Sequence, residues 1–117
     1  MEKSVQELVN DMNGMVTIGQ LTAAGEKYYA PSIRTIEFDG RVTGGKQAAM
    51  KKLTDFVESI QNVKGITLLV SASDGNASFS EFILDLEMKD GTTIYLHEIV
   101  RAIWENGLVV EERYFKG

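Results

Sequence analysis

Hydrophobic and polar positions alternate along the last quarter of the chain, and this pattern predicts a β-hairpin. Residues 92–104 and 109–115 both alternate, and Asn106-Gly107 lies between them. Asn-Gly is a favoured two-residue hairpin turn because both positions tolerate a positive φ. Apolar side chains occur on both faces of these strands, so we expect both faces to be covered.

The register of this hairpin assigns its residues to two faces. A two-residue loop places Arg101 opposite Glu112, and directly opposed residues share a face. A two-residue turn at Asp90-Gly91 adds the preceding strand, residues 78–89, with the same assignment. The predicted inner face consists of His97, Ile99, Arg101, Ile103, Val110, Glu112 and Tyr114, with Phe82, Leu84, Leu86 and Met88 from the preceding strand. The predicted outer face includes Glu81, Ile83, Asp85, Glu98, Val100, Ala102, Trp104, Val109, Glu111, Arg113 and Phe115.

Helical periodicity dominates the first half of the chain. A capping box, Ser4-x-x-Glu7, predicts the start of a helix that ends at Asn13-Gly14. The remaining predicted elements are a helix over 21–29, a strand over 33–38, a helix over 46–60 and a strand over 66–73. The order α-α-β-α-β-β-β-β predicts an α+β fold, with helices packed on one face of a curved, mostly antiparallel sheet. We expect a single domain spanning residues 1–117.

Composition excludes several classes of function. The net charge is −5 and the basic residues are scattered, which argues against nucleic acid or an anionic membrane surface as a partner. The sequence contains no cysteine and one histidine, so we predict neither a disulfide nor a metal site, and no cofactor. No apolar run approaches the ~20 residues of a membrane span, and no signal peptide is recognisable. We expect a cytoplasmic protein.

Four segments resemble one known family. They are Tyr28-Tyr29-Ala30-Pro31, Glu37-Phe38-Asp39-Gly40, Gly44-Gly45-Lys46, and the closing stretch 103–115. Their order and spacing resemble the SnoaL-like proteins of the nuclear transport factor 2-like superfamily. The resemblance implies a cone in which the sheet wraps around the helices and leaves an apolar pocket on its concave face. It does not fix an activity, because this fold hosts isomerases, cyclases, dehydratases, epoxide hydrolases and binding proteins.

A pocket of this kind predicts binding of a small, largely apolar molecule. A few polar groups that converge among apolar side chains are typical of a ligand site. The predicted pocket residues are Tyr29, Phe82, Leu84, Ile99, Ile103, Glu112 and Tyr114. The alternative hypothesis is an acid/base enzyme, a cyclase, isomerase or lyase acting on a carbonyl substrate.

Three residues are the candidates for catalysis: Glu37, His97 and Arg101. His97 is either a proton carrier or a structural histidine, and Arg101 either holds an oxyanion or pairs structurally with Glu112. The resemblance places Glu37 where steroid-isomerase-like members carry a catalytic carboxylate. Those enzymes also use a tyrosine and a protonated aspartate, and the matching positions here read as Leu8 and Arg101.

The predicted outer face also suggests a partner. Five large apolar residues, Trp104, Val100, Val109, Ile83 and Phe115, are more than a solvated sheet face usually shows. The resemblance implies that many members dimerise through this face. We therefore expect a homodimer, since a patch that meets its own copy closes most simply as a two-fold pair.

Overall fold

A computed structural model describes residues 3–117 of the chain as three helices and one six-stranded sheet. The helices are α1 (Val5–Thr17), α2 (Leu21–Tyr28) and α3 (Lys46–Glu58). The strands are β1 (Tyr29–Ile36), β2 (Val42–Gly44), β3 (Ile60–Asp74), β4 (Ala77–Met88), β5 (Thr93–Glu105) and β6 (Leu108–Lys116). None of the helices in this part of the chain has the length and apolar character needed to cross a membrane.

The predicted α+β plan is confirmed, with one further strand. The sheet order is β2-β1-β6-β5-β4-β3, and β1 runs parallel to β6 while all other neighbours are antiparallel. The additional strand, β2, is only three residues long, too short to produce a recognisable alternation. It pairs with β1 at the edge of the sheet and leads directly into α3.

Helix α1 begins as predicted and ends later. Ser4 and Glu7 form both bonds of the capping box, each 3.2 Å long. The helix continues through Gly14 to Thr17, so the predicted stop at Asn13-Gly14 is wrong. Asn13 is buried and its Nδ2 donates to Ser80 Oγ at 2.9 Å. This bond ties the middle of the helix to the sheet, and tertiary contacts of this kind override local helix-stop signals.

The helices pack against the concave face of the sheet, and Trp104 lies at the centre of this packing. The indole is 2% exposed and meets the ring of Tyr28 edge-on, with 5.5 Å between ring centroids. Its Nε1 donates to Ser78 Oγ at 2.9 Å, so its one polar atom is satisfied. Val109 and Ile33, both 0% exposed, complete this closely packed end of the cone.

The loop between β4 and β5 differs from the predicted two-residue turn. The Met88 N–H donates to the Thr92 carbonyl at 2.8 Å, which leaves three loop residues, Lys89, Asp90 and Gly91. Gly91 has a φ of 90°, the left-handed conformation that ends a three-residue hairpin loop. One extra loop residue shifts the register by one position. Leu84 therefore pairs with Leu96 and not with His97.

A second one-residue shift occurs in the β5–β6 hairpin. Its loop is the predicted Asn106-Gly107, and Trp104 pairs with Val109 beside it. The next pair is Ile103 with Glu111, so Val110 is an extra residue on β6 and forms a β-bulge. Beyond the bulge, Glu112 lies opposite Ala102, where a regular ladder would have placed Arg101.

Because the two register shifts compensate each other, β4 and β6 keep the faces predicted for their residues. On β5, which lies between the shifts, the predicted inner and outer residues are exchanged. The predicted inner residues of β4 and the predicted Glu112 and Tyr114 of β6 do face the helices. On β5 the inner residues are Leu96, Glu98, Val100, Ala102 and Trp104, and the outer residues are His97, Ile99, Arg101 and Ile103. Of the residues predicted for the outer face, Trp104, Val100 and Val109 therefore lie inside, whereas Ile83 and Phe115 lie outside.

Candidate functional site

A cavity of about 340 Å³ lies between the helices and the concave face of the sheet. Most of its wall is apolar, formed by Val9, Met12, Val16, Leu21, Leu53, Ile66, Phe82, Leu84, Leu86, Leu96 and Val100. Phe38 and Phe56 also line it and are 43% and 36% exposed, so they mark its mouth. The volume is at the lower end of the range of about 300–1,000 Å³ that is usual for small-molecule pockets.

One group of polar side chains in the cavity wall is centred on Lys52 of α3. Its Nζ donates to Glu37 Oε2 at 2.7 Å and to Thr35 Oγ1 at 2.8 Å. A longer contact of 3.3 Å reaches Thr43 Oγ1 on β2. Glu37 directly follows β1, so the end of that strand and the middle of α3 bring these groups together. The charge of Lys52 is thereby paired with that of Glu37.

A second group is centred on Glu112 of β6, which is 5% exposed. The hydroxyls of Tyr29 (2.8 Å) and Tyr114 both donate to its Oε1. Burial raises the pKa of the Glu112 carboxyl, although the two hydroxyls and the charge of Lys52 act in the opposite direction. Burial and the neighbouring Glu112 raise the pKa of both tyrosines well above 10, so they remain hydroxyl donors at neutral pH.

Glu98 of β5 is the third acidic group of the cavity wall. Its pKa is raised from 4.5 to about 7, first by burial and then by the nearby carboxylates of Glu112 and Glu37. Neither a hydrogen bond nor a cation lowers it within residues 3–117. A carboxyl group with these surroundings gains or loses a proton near neutral pH, as an acid/base catalyst or a charge-dependent binding site requires.

The structure brings six of the ten predicted site residues to the cavity wall. They are Glu37, Tyr29, Phe82, Leu84, Glu112 and Tyr114. The other four, His97, Arg101, Ile99 and Ile103, are on the outer face of β5, so their assignment to the pocket is wrong. The cause is the register shift at the Lys89–Gly91 loop and the bulge at Val110.

The outer-face polar residues have partners of their own. His97 Nε2 lies 2.5 Å from Glu81 Oε2. Arg101 donates to Glu111 Oε2 at 2.8 Å, and Arg34 donates to the other oxygen of Glu111 at 2.5 Å. Arg101 therefore pairs with Glu111 on the outer face, and not with Glu112 as predicted.

Sequence reasoning missed Glu98, Lys52 and Thr35 as residues of the site. The loop before β5 contains a signal that predicts an inward position for Glu98. Asp90 Oδ1 accepts hydrogen bonds from the backbone and hydroxyl of Thr92, so Asp-Gly-Thr is compatible with the longer loop that turns Glu98 inward. Lys52 and Thr35 become visible only when α3 is placed against β1. No cluster of three metal-binding side chains is found in the described part of the chain.

Comparison with solved structures identifies the fold family. A protein from Mesorhizobium loti, described as a SnoaL-like polyketide cyclase, superposes with a TM-score of 0.85 at 26% identity, covering 97% of this chain and 99% of its own. A nuclear transport factor 2-like protein of unknown function from Burkholderia pseudomallei gives a TM-score of 0.79 at 11% identity, with coverage of 99% and 92%. The chain has the nuclear transport factor 2-like fold, and the match to the Mesorhizobium loti protein supports its assignment to the SnoaL-like proteins of that superfamily.

A third solved structure widens the range of relatives. A Catenulispora acidiphila protein with a ketosteroid isomerase-like fold, in complex with trimethylamine, gives a TM-score of 0.76 at 14% identity, covering 95% of this chain and 85% of its own. No protein-family model and no curated protein sequence matches the chain. The SnoaL-like assignment is consistent with ligand binding and with cyclase-like chemistry, and it defines neither ligand nor reaction.

Proposed function

We propose that this SnoaL-like protein binds a small, largely apolar molecule in the cavity between its helices and sheet. The observation that supports this most is the uneven distribution of polarity in the cavity wall. Leucine, valine, methionine and phenylalanine side chains form most of it, and Glu98 and the Tyr29–Glu112–Tyr114 group supply a few polar contacts. An apolar body with one polar group would match both parts of this surface.

Retention of a co-purified molecule tests this proposal. The protein is purified under native conditions and denatured, and the released small molecules are identified by mass spectrometry. We expect a ligand in the wild type that is lost in Leu84→Arg, which fills the cavity with a charged side chain. The matched control is His97→Ala, a substitution on the outer face that should retain the ligand. Equal retention by Leu84→Arg would contradict cavity binding.

Acid/base catalysis on a carbonyl substrate is a second candidate function. The specific observation in its favour is the pKa of Glu98, about 7, because proton transfer is most efficient when the pKa lies near the working pH. In this hypothesis Glu98 replaces His97 as the proton carrier. Arg101 has no part in it, since its side chain is on the other side of the sheet.

Deuterium exchange tests the catalytic candidate. The protein is incubated in D₂O with a cyclic ketone, and exchange at the carbon beside the carbonyl is followed by NMR. A general base typically contributes about 10²–10⁴-fold, so Glu98→Gln should slow exchange by at least about 100-fold. The rate should also rise with pH around a midpoint near 7. Exchange that is unchanged in Glu98→Gln would exclude this role.

We also propose that the protein forms a homodimer through the outer face of the sheet. Val70, Ile99 and Phe115 lie with Glu81 in one row across four strands, and Phe79 is in the next row. Val70, Phe79 and Phe115 are 57%, 43% and 38% exposed. We expect sedimentation at micromolar concentration to give a particle of twice the 13.0 kDa chain mass, and Phe79→Glu to give the monomer. A monomeric wild type would contradict the dimer.

A further inference from the structure

The charged side chains of the cavity wall do not balance one another. They are Glu37, Glu98, Glu112 and Lys52. Lys52 is held by Glu37 at 2.7 Å and by two threonine hydroxyls, so it neutralises one carboxylate. Glu112 receives only the neutral hydroxyls of two tyrosines. Two acidic groups therefore face an apolar volume without a cation of their own.

Lys116 is the cation directly opposite Glu98 in the sheet, and its ammonium is directed elsewhere. The two residues are directly opposed on β5 and β6 and share a face. The Lys116 Nζ lies 5.3 Å from the centre of the Phe38 ring. It forms no ion pair with Glu98 and does not lower the pKa of that carboxyl. Glu98 is thus the acidic group of the cavity that is free to accept a donor from a ligand.

The surroundings of Glu98 favour a cation over an anion. A ligand carboxylate or phosphate would add negative charge beside Glu98 and Glu112, at short range and in a poorly solvated volume. An alkylammonium group would instead supply the missing positive charge and three N–H donors. Phe82 is directly opposite Glu98 on β4, so an aromatic ring lies beside the carboxylate. Aromatic rings attract cations through the partial negative charge of their faces.

The rest of the cavity wall determines the chemical character of the part of the ligand that does not contact Glu98. Beyond Glu98 the wall consists mostly of aliphatic side chains of α1, α3, β3 and β4. The polar side chains among them already have partners, since Asn13 donates to Ser80 and Ser78 accepts from Trp104. Hydroxyl or amide groups of a ligand would lose their hydrogen bonds to water there without replacement. A compact hydrocarbon body fits a cavity of about 340 Å³.

We propose that the ligand is an apolar primary amine, with its protonated nitrogen bound at Glu98 and its hydrocarbon body in the aliphatic part of the cavity. This inference rests on the binding function proposed above. It names the chemical class of the ligand, which the fold family leaves open.

Matched probes that share one hydrocarbon part and differ in their polar head group test this inference. The protein is titrated at pH 8, by calorimetry and by NMR, with cyclohexylmethylamine, cyclohexylmethanol and cyclohexanecarboxylate. The corresponding amine, alcohol and carboxylate with a hexyl chain form a second series of three probes. At this pH the amine is protonated, since its pKa is about 10, and Glu98 is mostly ionised. We expect the amine to bind at least about tenfold more tightly than the alcohol, and the carboxylate to bind most weakly.

The pH dependence and two variants identify the residue responsible. Amine affinity should rise by up to about tenfold from pH 6 to pH 8, as Glu98 ionises, whereas alcohol affinity should stay constant. Glu98→Gln should remove the preference for the amine over the alcohol. Glu111→Gln is the control, because it removes an acid from the opposite face of the sheet and should leave the preference intact.

The outcomes separate this inference from the proposed function. Equal binding of amine and alcohol at pH 8, or a preference that survives Glu98→Gln, would overturn the amine inference while cavity binding remains. If none of the six probes binds at millimolar concentration or shifts the NMR signals of cavity residues, both the inference and the binding proposal fail.

Discussion

The two faces of the β5–β6 hairpin hold glutamates in opposite electrostatic states. On the inner face, Glu98 lines an apolar cavity without a cationic partner, and its pKa rises to about 7. On the outer face, Glu111 accepts hydrogen bonds from Arg34 and Arg101, and these lower its pKa. The residue type is the same and the strands are neighbours, so the difference comes from the surroundings of each carboxylate, the apolar cavity on one face and two arginines on the other.

This contrast distinguishes a carboxylate that is neutralised within the protein from one that is not. An acid paired with two arginines is neutralised within the protein and stabilises the sheet. An acid without a countercharge lowers the stability of the folded state when it ionises, and this cost is the physical basis of the role proposed for Glu98. Three predictions test this contrast between the faces, in order of decreasing effect on the free energy of unfolding.

Trp104→Ala should have the largest effect, because it removes an indole that packs on Tyr28 at the centre of the inner face. We expect a loss of about 3–5 kcal/mol in the free energy of unfolding, as is usual for a buried tryptophan. Tyr95→Ala is the matched aromatic control on the same strand, where the ring is 72% exposed. It should change stability by less than about 0.5 kcal/mol. Similar losses in chemical denaturation would contradict the assignment of faces on β5.

Glu98→Gln should stabilise the protein at alkaline pH. The folded-state pKa of about 7 exceeds the unfolded value of 4.5, so ionisation destabilises the folded state as the pH rises between these values. Above pH 7 the variant should be about 1–3 kcal/mol more stable than the wild type, allowing for partial solvent exposure. Below pH 4.5 the two should be equal. Denaturation curves across this range measure the difference, and a variant less stable at pH 8 would refute the account.

Glu111→Gln should act in the opposite direction and more weakly. The arginines lower the folded-state pKa of Glu111, so its contribution is present above its unfolded pKa and is lost as the pH falls through the folded pKa. At neutral pH we expect the variant to lose about 1 kcal/mol, the upper range for partly exposed ion pairs. This loss should shrink in acid or high salt. A variant as stable as the wild type at pH 7 in low salt would show that the outer pairs contribute nothing.

The sequence predicts the architecture well because its signals are local and repeated. The capping box at Ser4, the alternation of β4 to β6 and the Asn106-Gly107 turn each depend on a few neighbouring residues, and together they define the α+β order. The resemblance to the SnoaL-like family adds the cone and its pocket. Within the pocket, Glu112 and Tyr114 follow from alternation once β6 is known to face the helices.

The composition of the site depends on single-residue details that alternation cannot resolve. Asp90-Gly91 fits a two-residue or a three-residue loop, and a β-bulge at Val110 leaves no mark in a Val-Val sequence. Each changes the register by one position, and a shift of one position exchanges the faces. The predicted catalytic His97 and Arg101 were misplaced for this reason, and Glu98 was missed for the same reason.

The ionisation of Glu98 in the folded protein tests the account most directly. The side-chain carboxyl carbon of Glu98 can be followed by NMR between pH 3 and pH 9 in ¹³C-labelled protein, with Glu98→Gln to assign the signal. An acid that lines the cavity without a cation should titrate with a midpoint near 7. A midpoint at or below the ordinary value of 4.5 would mean that Glu98 is solvated or paired, and would contradict both its place in the cavity and the role proposed for it.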